Sequence, residues 1–132
     1  MPGFELIGSE ELREITDVFA HGGVLFRHGY DAMRQGTYKV RDFEQAFAAR
    51  MGVTEALAVT SGSAALRVAL AALGVGPGDE VITQAFTFVA TVEAIIEAGA
   101  TPICAEVDCT LNMAPDSLES LITPRTLSLI HI

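Results

Sequence analysis

The sequence predicts an α/β fold with a mostly parallel sheet flanked by helices. Two observations carry this. From Ala56 onward, short apolar runs alternate with longer runs of helical period, in the order strand–helix–strand–helix–strand–helix. Glycine- and proline-rich connectors such as Gly74-Val-Gly-Pro-Gly-Asp79 punctuate that alternation. Half of the 132 residues are hydrophobic, so one domain with a sizeable core is affordable.

The elements follow in order. Ser9–Ala20 has Leu12, Ile15 and Phe19 at helical spacing, with Ser9 placed to cap it and His21, Gly22 and Gly23 to end it. Residues 24–39 show no clear period and read as an irregular segment crossing a surface or a subunit boundary. Val40–Met51 repeats Phe43, Ala46, Phe47 and Arg50 at helical intervals, and Gly52 stops it. Ala56–Thr60 is a short apolar strand. Ser63–Leu73 is apolar on nearly every side except at Arg67, which predicts a buried helix. Glu80–Thr83 is strand-like. Thr87–Ala98 is a helix with Val89, Val92, Ile95 and Ile96 inward, Glu93 and Glu97 outward, and Gly99 as its C-cap. Pro102–Val107 is a third strand. Ala114–Ile122 is a last helix, with Pro115 and Asp116 favourable in its first turn.

Charge and composition exclude several classes. Seventeen acidic against eight basic residues give a net charge of −9, which argues against nucleic acid or an anionic membrane surface as a partner. No uninterrupted apolar run reaches the roughly 18 residues of a membrane span. The opening MPGFELIGSEE has no basic region of the kind that begins a secretory signal. Cys104 and Cys109 fit no zinc spacing, and His21, His28 and His131 show no ligand or triad spacing. The cysteines read as reduced thiols of a cytoplasmic protein.

The stretch Val59-Thr-Ser-Gly-Ser-Ala-Ala-Leu66 turns from strand to helix through three small residues. A helix N-terminus presents unpaired N–H groups and partial positive charge, so it seats phosphate. Gly62 would let a ligand approach the backbone, and Ser63 would add a hydroxyl. From these residues alone a plain helix cap is the commoner use of such a turn.

Three motifs in order then resemble the sugar aminotransferases of the DegT/StrS family. They are Ser61-Gly-Ser-Ala-Ala-Leu66, the connector Gly74 to Val81, and Phe86-Thr-Phe-Val-Ala-Thr91. Val107-Asp-Cys-Thr-Leu-Asn112 and Ile122-Thr-Pro-Arg-Thr126 are also similar to family segments. The resemblance spans about residues 24–126. It implies the N-terminal part of the fold type I aminotransferase large domain, with pyridoxal 5'-phosphate (PLP) as cofactor. It implies transfer of an amino group from an amino acid to a keto sugar, typically nucleotide-linked, by a cytoplasmic homodimer. By the same resemblance, Gly62, Ser63 and Ala64 match the turn that holds the cofactor phosphate, and Phe88 matches the aromatic residue stacked on the pyridine ring. Without it, Phe88 reads as core and Phe86 as the rival position. Alternatives are a PLP-dependent sugar dehydratase of the same family and a non-catalytic α/β domain that binds a phosphate-bearing ligand.

Transamination by PLP needs a lysine as covalent anchor and an acid facing the pyridine nitrogen. The single lysine, Lys39, precedes the phosphate turn and matches neither role, so no catalytic residue is assigned. Asp108 reads as a turn residue. The expectation is that residues 1–126 are part of a longer enzyme's large domain. Residues 127–132, LSLIHI, read as a non-native tail, because a library-adapter sequence translates to the same six residues; their pattern also permits a strand.

Overall fold

The computed structural model describes residues 6–131. The first five residues of the N-terminal stretch read for a signal, and the last residue of the tail, lie outside that range. The chain forms two compact units that meet in sequence at Ala58 and Val59.

The first unit is helical. Helix α1 spans Ser9–Ala20 as the pattern predicts. Its cap, however, is Gly8 rather than Ser9: the Gly8 N–H donates to the Glu11 carboxylate at 2.7 Å, and Ser9 is the first helical residue. Gly22, with φ +97°, is required where the chain turns away, since a Cβ there would lie 2.0 Å from the Met33 carbonyl oxygen. The segment read as irregular contains one short helix, α2 (Asp31–Arg34). Helix α3 (Lys39–Met51) ends at Gly52, which is left-handed at φ +68° and donates to Ala48 and Ala49.

The expected strand at Ala56–Thr60 does not form. A strand exists only through paired backbone groups, and here side chains take that pairing. The Ala58 N–H donates to the Glu44 carboxylate at 2.7 Å, and Arg27 Nη1 donates to the Ala58 carbonyl at 3.1 Å.

The second unit is the α/β part. Helix α4 (Gly62–Ala72) leads to strand β1 (Glu80–Gln84), then helix α5 (Val89–Glu97), strand β2 (Thr101–Ala105) and strand β3 (Thr126–Ile130). Both strand pairings are parallel, in the order β2-β1-β3, with Ile82 opposite both Ile103 and Leu129. The central strand is buried along its whole length, as a parallel strand covered on both faces must be. On one face Leu70, Val75, Val81, Ala94, Ile95 and Ala100 form a core; on the other Ile82, Ala105 and Met113 form a smaller one.

Several expectations are corrected here. Helix α4 is not buried on all sides: Leu70 alone is fully covered, and Val68 and Leu73 face outward. Helix α5 buries Ala90, Thr91, Ala94 and Ile95, while Val89 and Ile96, expected inside, are exposed. The chosen face carries the small residues, which let the helix lie close against its neighbours. The last predicted helix is two 3-10 turns, Pro115–Ser117 and Glu119–Leu121. The hydroxyls of Ser117 and Ser120 donate to the carbonyls three residues back, at 2.8 and 3.0 Å, which competes with α-helical bonding. The C-cap of α5 is Ala98, one residue before the Gly99 expected there, and Gly99 follows in the left-handed region at φ +83°. Strand β3 takes up most of the six residues read as a tail.

Among the described residues, no helix is long and apolar enough to cross a membrane. Nor do any three His, Cys, Asp or Glu side chains gather as metal ligands. Cys104 and Cys109 are both free and exposed.

Candidate cofactor site at the start of helix α4

Ser61 is the N-cap of α4. Its backbone is extended, and its Oγ accepts the Ala64 N–H at 3.1 Å. The Ala65 N–H goes to the Ser61 carbonyl at 3.0 Å. The N–H groups of Gly62 and Ser63, and the Ser63 hydroxyl, take no partner among the described residues. The turn therefore keeps two backbone donors and one hydroxyl free beside the positive end of the helix dipole.

Gly62 is exposed, and a Cβ built on it meets no atom within 4 Å. Its backbone is not left-handed either. Neither packing nor conformation demands glycine here, so the vacant space is what a close-approaching ligand would use. Ser63 and Ala64 are half-buried, and the turn stands open to solvent instead of lining an enclosed cleft.

Phe88 is not core. It is the N-cap of α5, extended at φ −69° and ψ 136°, and 73% exposed. Phe86 is 60% exposed in the same loop. Topology brings this loop to the same end of the unit as the α4 turn. Leu70, late in α4, packs with Ala94 and Ile95, late in α5, so the two helices run the same way and start at the same end. That end is also the C-terminal edge of β1, where ligands of open parallel sheets bind.

One residue here carried no signal in the sequence. Gln84, the last residue of β1, is buried, and its Nε2 donates to the Phe86 carbonyl. Its Oε1, and the Thr83 hydroxyl beside it, have no partner among the described residues. Gln84 therefore ties down the loop that leads to Phe88. The only available hint was a long polar residue closing an apolar strand.

Lys39 is a structural cation. Its Nζ lies 2.6 Å from Asp17 and 2.7 Å from Glu14, and those hydrogen bonds raise its pKa well above the ordinary lysine value. A Schiff-base nucleophile needs the opposite, a depressed pKa and a neutral amine. Asp108 closes its own turn, accepting from the Thr110 hydroxyl and N–H, and these bonds lower its pKa.

A family model of the DegT/DnrJ/EryC1/StrS aminotransferases matches residues 24–132. The chain belongs to the DegT/DnrJ/EryC1/StrS aminotransferase family. It is 44% identical over 128 residues to the spore coat polysaccharide biosynthesis protein SpsC of Bacillus subtilis (strain 168), covering 96% of this chain and 30% of SpsC. It is 44% identical over 92 residues to GDP-perosamine synthase of Caulobacter vibrioides, covering 69% of this chain and 25% of that protein. Among solved structures, 3-amino-5-hydroxybenzoic acid synthase superposes with a TM-score of 0.83 at 36% identity, covering 95% of this chain and 31% of that one. The chain thus spans about a third or less of the relatives it matches. Aminotransferases of the DegT/DnrJ/EryC1/StrS family depend on PLP.

Proposed function

We propose that this chain is part of the large domain of a PLP-dependent aminotransferase. The whole enzyme moves an amino group from an amino acid to a keto group on a nucleotide-linked sugar. The observation that carries this reading is the α4 start, with its free donors and an unneeded glycine, inside a family match over residues 24–132. The names of the relatives, a spore coat polysaccharide biosynthesis protein and GDP-perosamine synthase, support this substrate class.

In this reading the Gly62 and Ser63 N–H groups and the Ser63 hydroxyl hold the cofactor phosphate. Ala64 keeps its N–H on Ser61, which fixes the turn. Phe88 lies against the ring, a contact worth about 0.5–1.5 kcal/mol beyond burial. When bound, PLP supplies the carbonyl that takes up the amine and the conjugated ring that draws off electrons. Lys39 takes no part, because two carboxylates hold its ammonium. The reading also includes a homodimer in the cytoplasm.

The test uses the chain as it stands. PLP is titrated in, the mixture is reduced with borohydride, and labelled peptides are mapped. Weak binding is expected, lost in Gly62→Val, with no stoichiometric label at Lys39 and no amino transfer. PLP affinity unchanged by Gly62→Val would remove the phosphate assignment. A specific label at Lys39 together with amino transfer to a keto sugar would overturn the account of the lysine.

A further inference from the structure

The packing of the second unit does not explain Gln84. It is only 4% exposed, and by the two-residue period of a strand it shares the face of β1 on which Ile82 packs with Ala105 and Met113. An apolar side chain would fill such a place without a polar penalty. Gln84 makes one bond from it, Nε2 donating to the Phe86 carbonyl. A carbonyl only accepts, so this bond turns the Oε1 the other way, where it meets no donor among the described residues. A buried acceptor without a partner costs about as much as one hydrogen bond supplies, or more. The side chain therefore adds little to stability, and what it fixes is the loop that follows.

That loop, residues 85–88, is held on either side of Phe86 by its neighbours. The Ala85 N–H donates to the Ala105 carbonyl at 3.0 Å, the Thr87 and Thr91 hydroxyls lie 3.3 Å apart, and the Phe88 carbonyl accepts the Thr91 N–H at 3.0 Å. The Phe86 carbonyl meets no backbone donor among the described residues, and Gln84 supplies its bond. A peptide unit is planar, so one bond to its oxygen fixes the whole Phe86–Thr87 plane. That plane lies immediately before Phe88, which is extended and largely exposed. So exposed a ring gains little direction from packing, and its backbone must supply the rest.

We propose that Gln84 is a positioning residue for the aromatic partner of the cofactor. Its amide holds the Phe86–Thr87 peptide so that Phe88 stands ready at the α4 end before the ligand arrives. A group ordered in advance loses less freedom on binding, so the affinity is higher. Gln84 acts through the loop and not on the cofactor itself. The proposal rests on the assignment of Phe88 to the PLP ring in the preceding section.

The test begins with the isotope-labelled chain without PLP. Backbone order parameters at Phe86, Thr87 and Phe88 should stand near the rigid value of about 0.85 and fall toward about 0.6 in Gln84→Met. Gln84→Glu keeps the shape, loses the donor and should loosen the loop equally. Gln84→Met removes the unpaired acceptor together with the bond, so its urea midpoint should hardly move. PLP is then titrated in. Gln84→Met should weaken it by about two- to tenfold, the share of one stacked ring, and Phe88→Leu should weaken it at least as much. The double variant should bind no worse than Phe88→Leu, since both changes act through one ring. Mobile amides at residues 86–88 of the wild-type chain would overturn the proposal without any variant. So would rigid ones in both Gln84 variants, or a double variant whose losses add. A lowered urea midpoint in Gln84→Met with undiminished PLP affinity would make Gln84 structural and overturn it too. PLP affinity unchanged in Phe88→Leu sinks the stacking of the preceding section, while the order parameters still judge the loop. PLP weakened in Phe88→Leu but not in Gln84→Met sinks this inference alone.

Discussion

Residues up to Ala58 and residues from Val59 onward use apolar side chains in opposite ways. In the first unit only Ala48 and Arg34 are buried among the described residues. Leu12, Ile15 and Phe19 lie exposed along α1, and Phe43 and Phe47 along α3. In the second unit β1 is covered throughout, and Val81, Ile82 and Ile95 have almost no accessible surface. Both units contain clear helical patterns, at Ser9–Ala20 and Val40–Met51 in the first and at Thr87–Ala98 in the second. What differs is the partner: β1 has strands on both edges and cores on both faces, whereas the helices of the first unit lack a covering layer among the described residues. Periodicity specifies which face wants burial and says nothing of what buries it.

The largest expected effect follows from that contrast. Ile95→Ala empties a fully enclosed position and should cost about 2–5 kcal/mol. Urea unfolding followed by circular dichroism measures it, as the chain has no tryptophan. A loss below about 1 kcal/mol would mean that the second unit is no better packed than the first.

A smaller effect should separate backbone strain from packing. Gly99 and Gly74 are both left-handed, at φ +83° and +74°. A Cβ at Gly99 would sit 3.0 Å from Pro77 Cγ, whereas one at Gly74 meets open space. Gly74→Ala should cost about 1–2 kcal/mol for conformation alone. Gly99→Ala should cost more, unless Pro77 gives way. Equal losses in the two variants would show that the connector around Pro77 is loose.

The same contrast governs what could be read in advance. β1, α5 and β2 were legible because a short apolar run between turn residues has few other uses in an α/β chain. Ala56–Thr60 is a similar short apolar run, yet Glu44 and Arg27 take the N–H and carbonyl of Ala58 at its centre. Those are contacts between residues far apart in sequence, which a local pattern does not encode. Along α5 two apolar stripes compete, and the sequence does not rank the Val89–Ile96 stripe against the Ala90–Ala94 stripe that is buried. At the candidate site the turn Ser61–Ala64 was legible as small residues before a helix, with the cap correctly among its options. Gln84 was not, because its role depends on burial and on one bond to the Phe86 carbonyl.

Acid should weaken the second unit through Glu80. This buried carboxylate accepts from the Thr123 hydroxyl at 2.5 Å and from Arg125, whose Nε lies at 2.9 Å. These bonds lower its pKa below the ordinary glutamate value. A depressed folded pKa contributes stability that is fully present above the unfolded value, about 4.3, and is lost as pH falls through the folded one. The urea midpoint of the wild-type chain should therefore drop further between about pH 5 and pH 3 than that of Glu80→Gln. Glu11, Asp17 and Asp108 also have lowered pKa values, so the difference between the two chains, not the wild-type slope, isolates Glu80. Parallel slopes would detach Glu80 from the stability of β1.

The smallest effect is expected at Phe47, and it is the one that could break the comparison. Phenylalanine to alanine in a core costs about 3–5 kcal/mol, because the ring's contacts vanish and a cavity remains. Phe47 is 46% exposed and touches Phe43 with ring centroids 5.8 Å apart, so half of its surface is already in water. Its removal forfeits one tilted aromatic pair and the covered part of one ring, and alanine is the better helix former. These terms oppose each other, and Phe47→Ala should change stability by less than about 1 kcal/mol. The same urea titration reads it at two protein concentrations. A core-sized loss that is independent of concentration would mean that α3 is covered within the chain and that the two units are packed alike. A loss that grows with concentration would mean that association covers this face, since binding to the folded form alone makes apparent stability concentration-dependent.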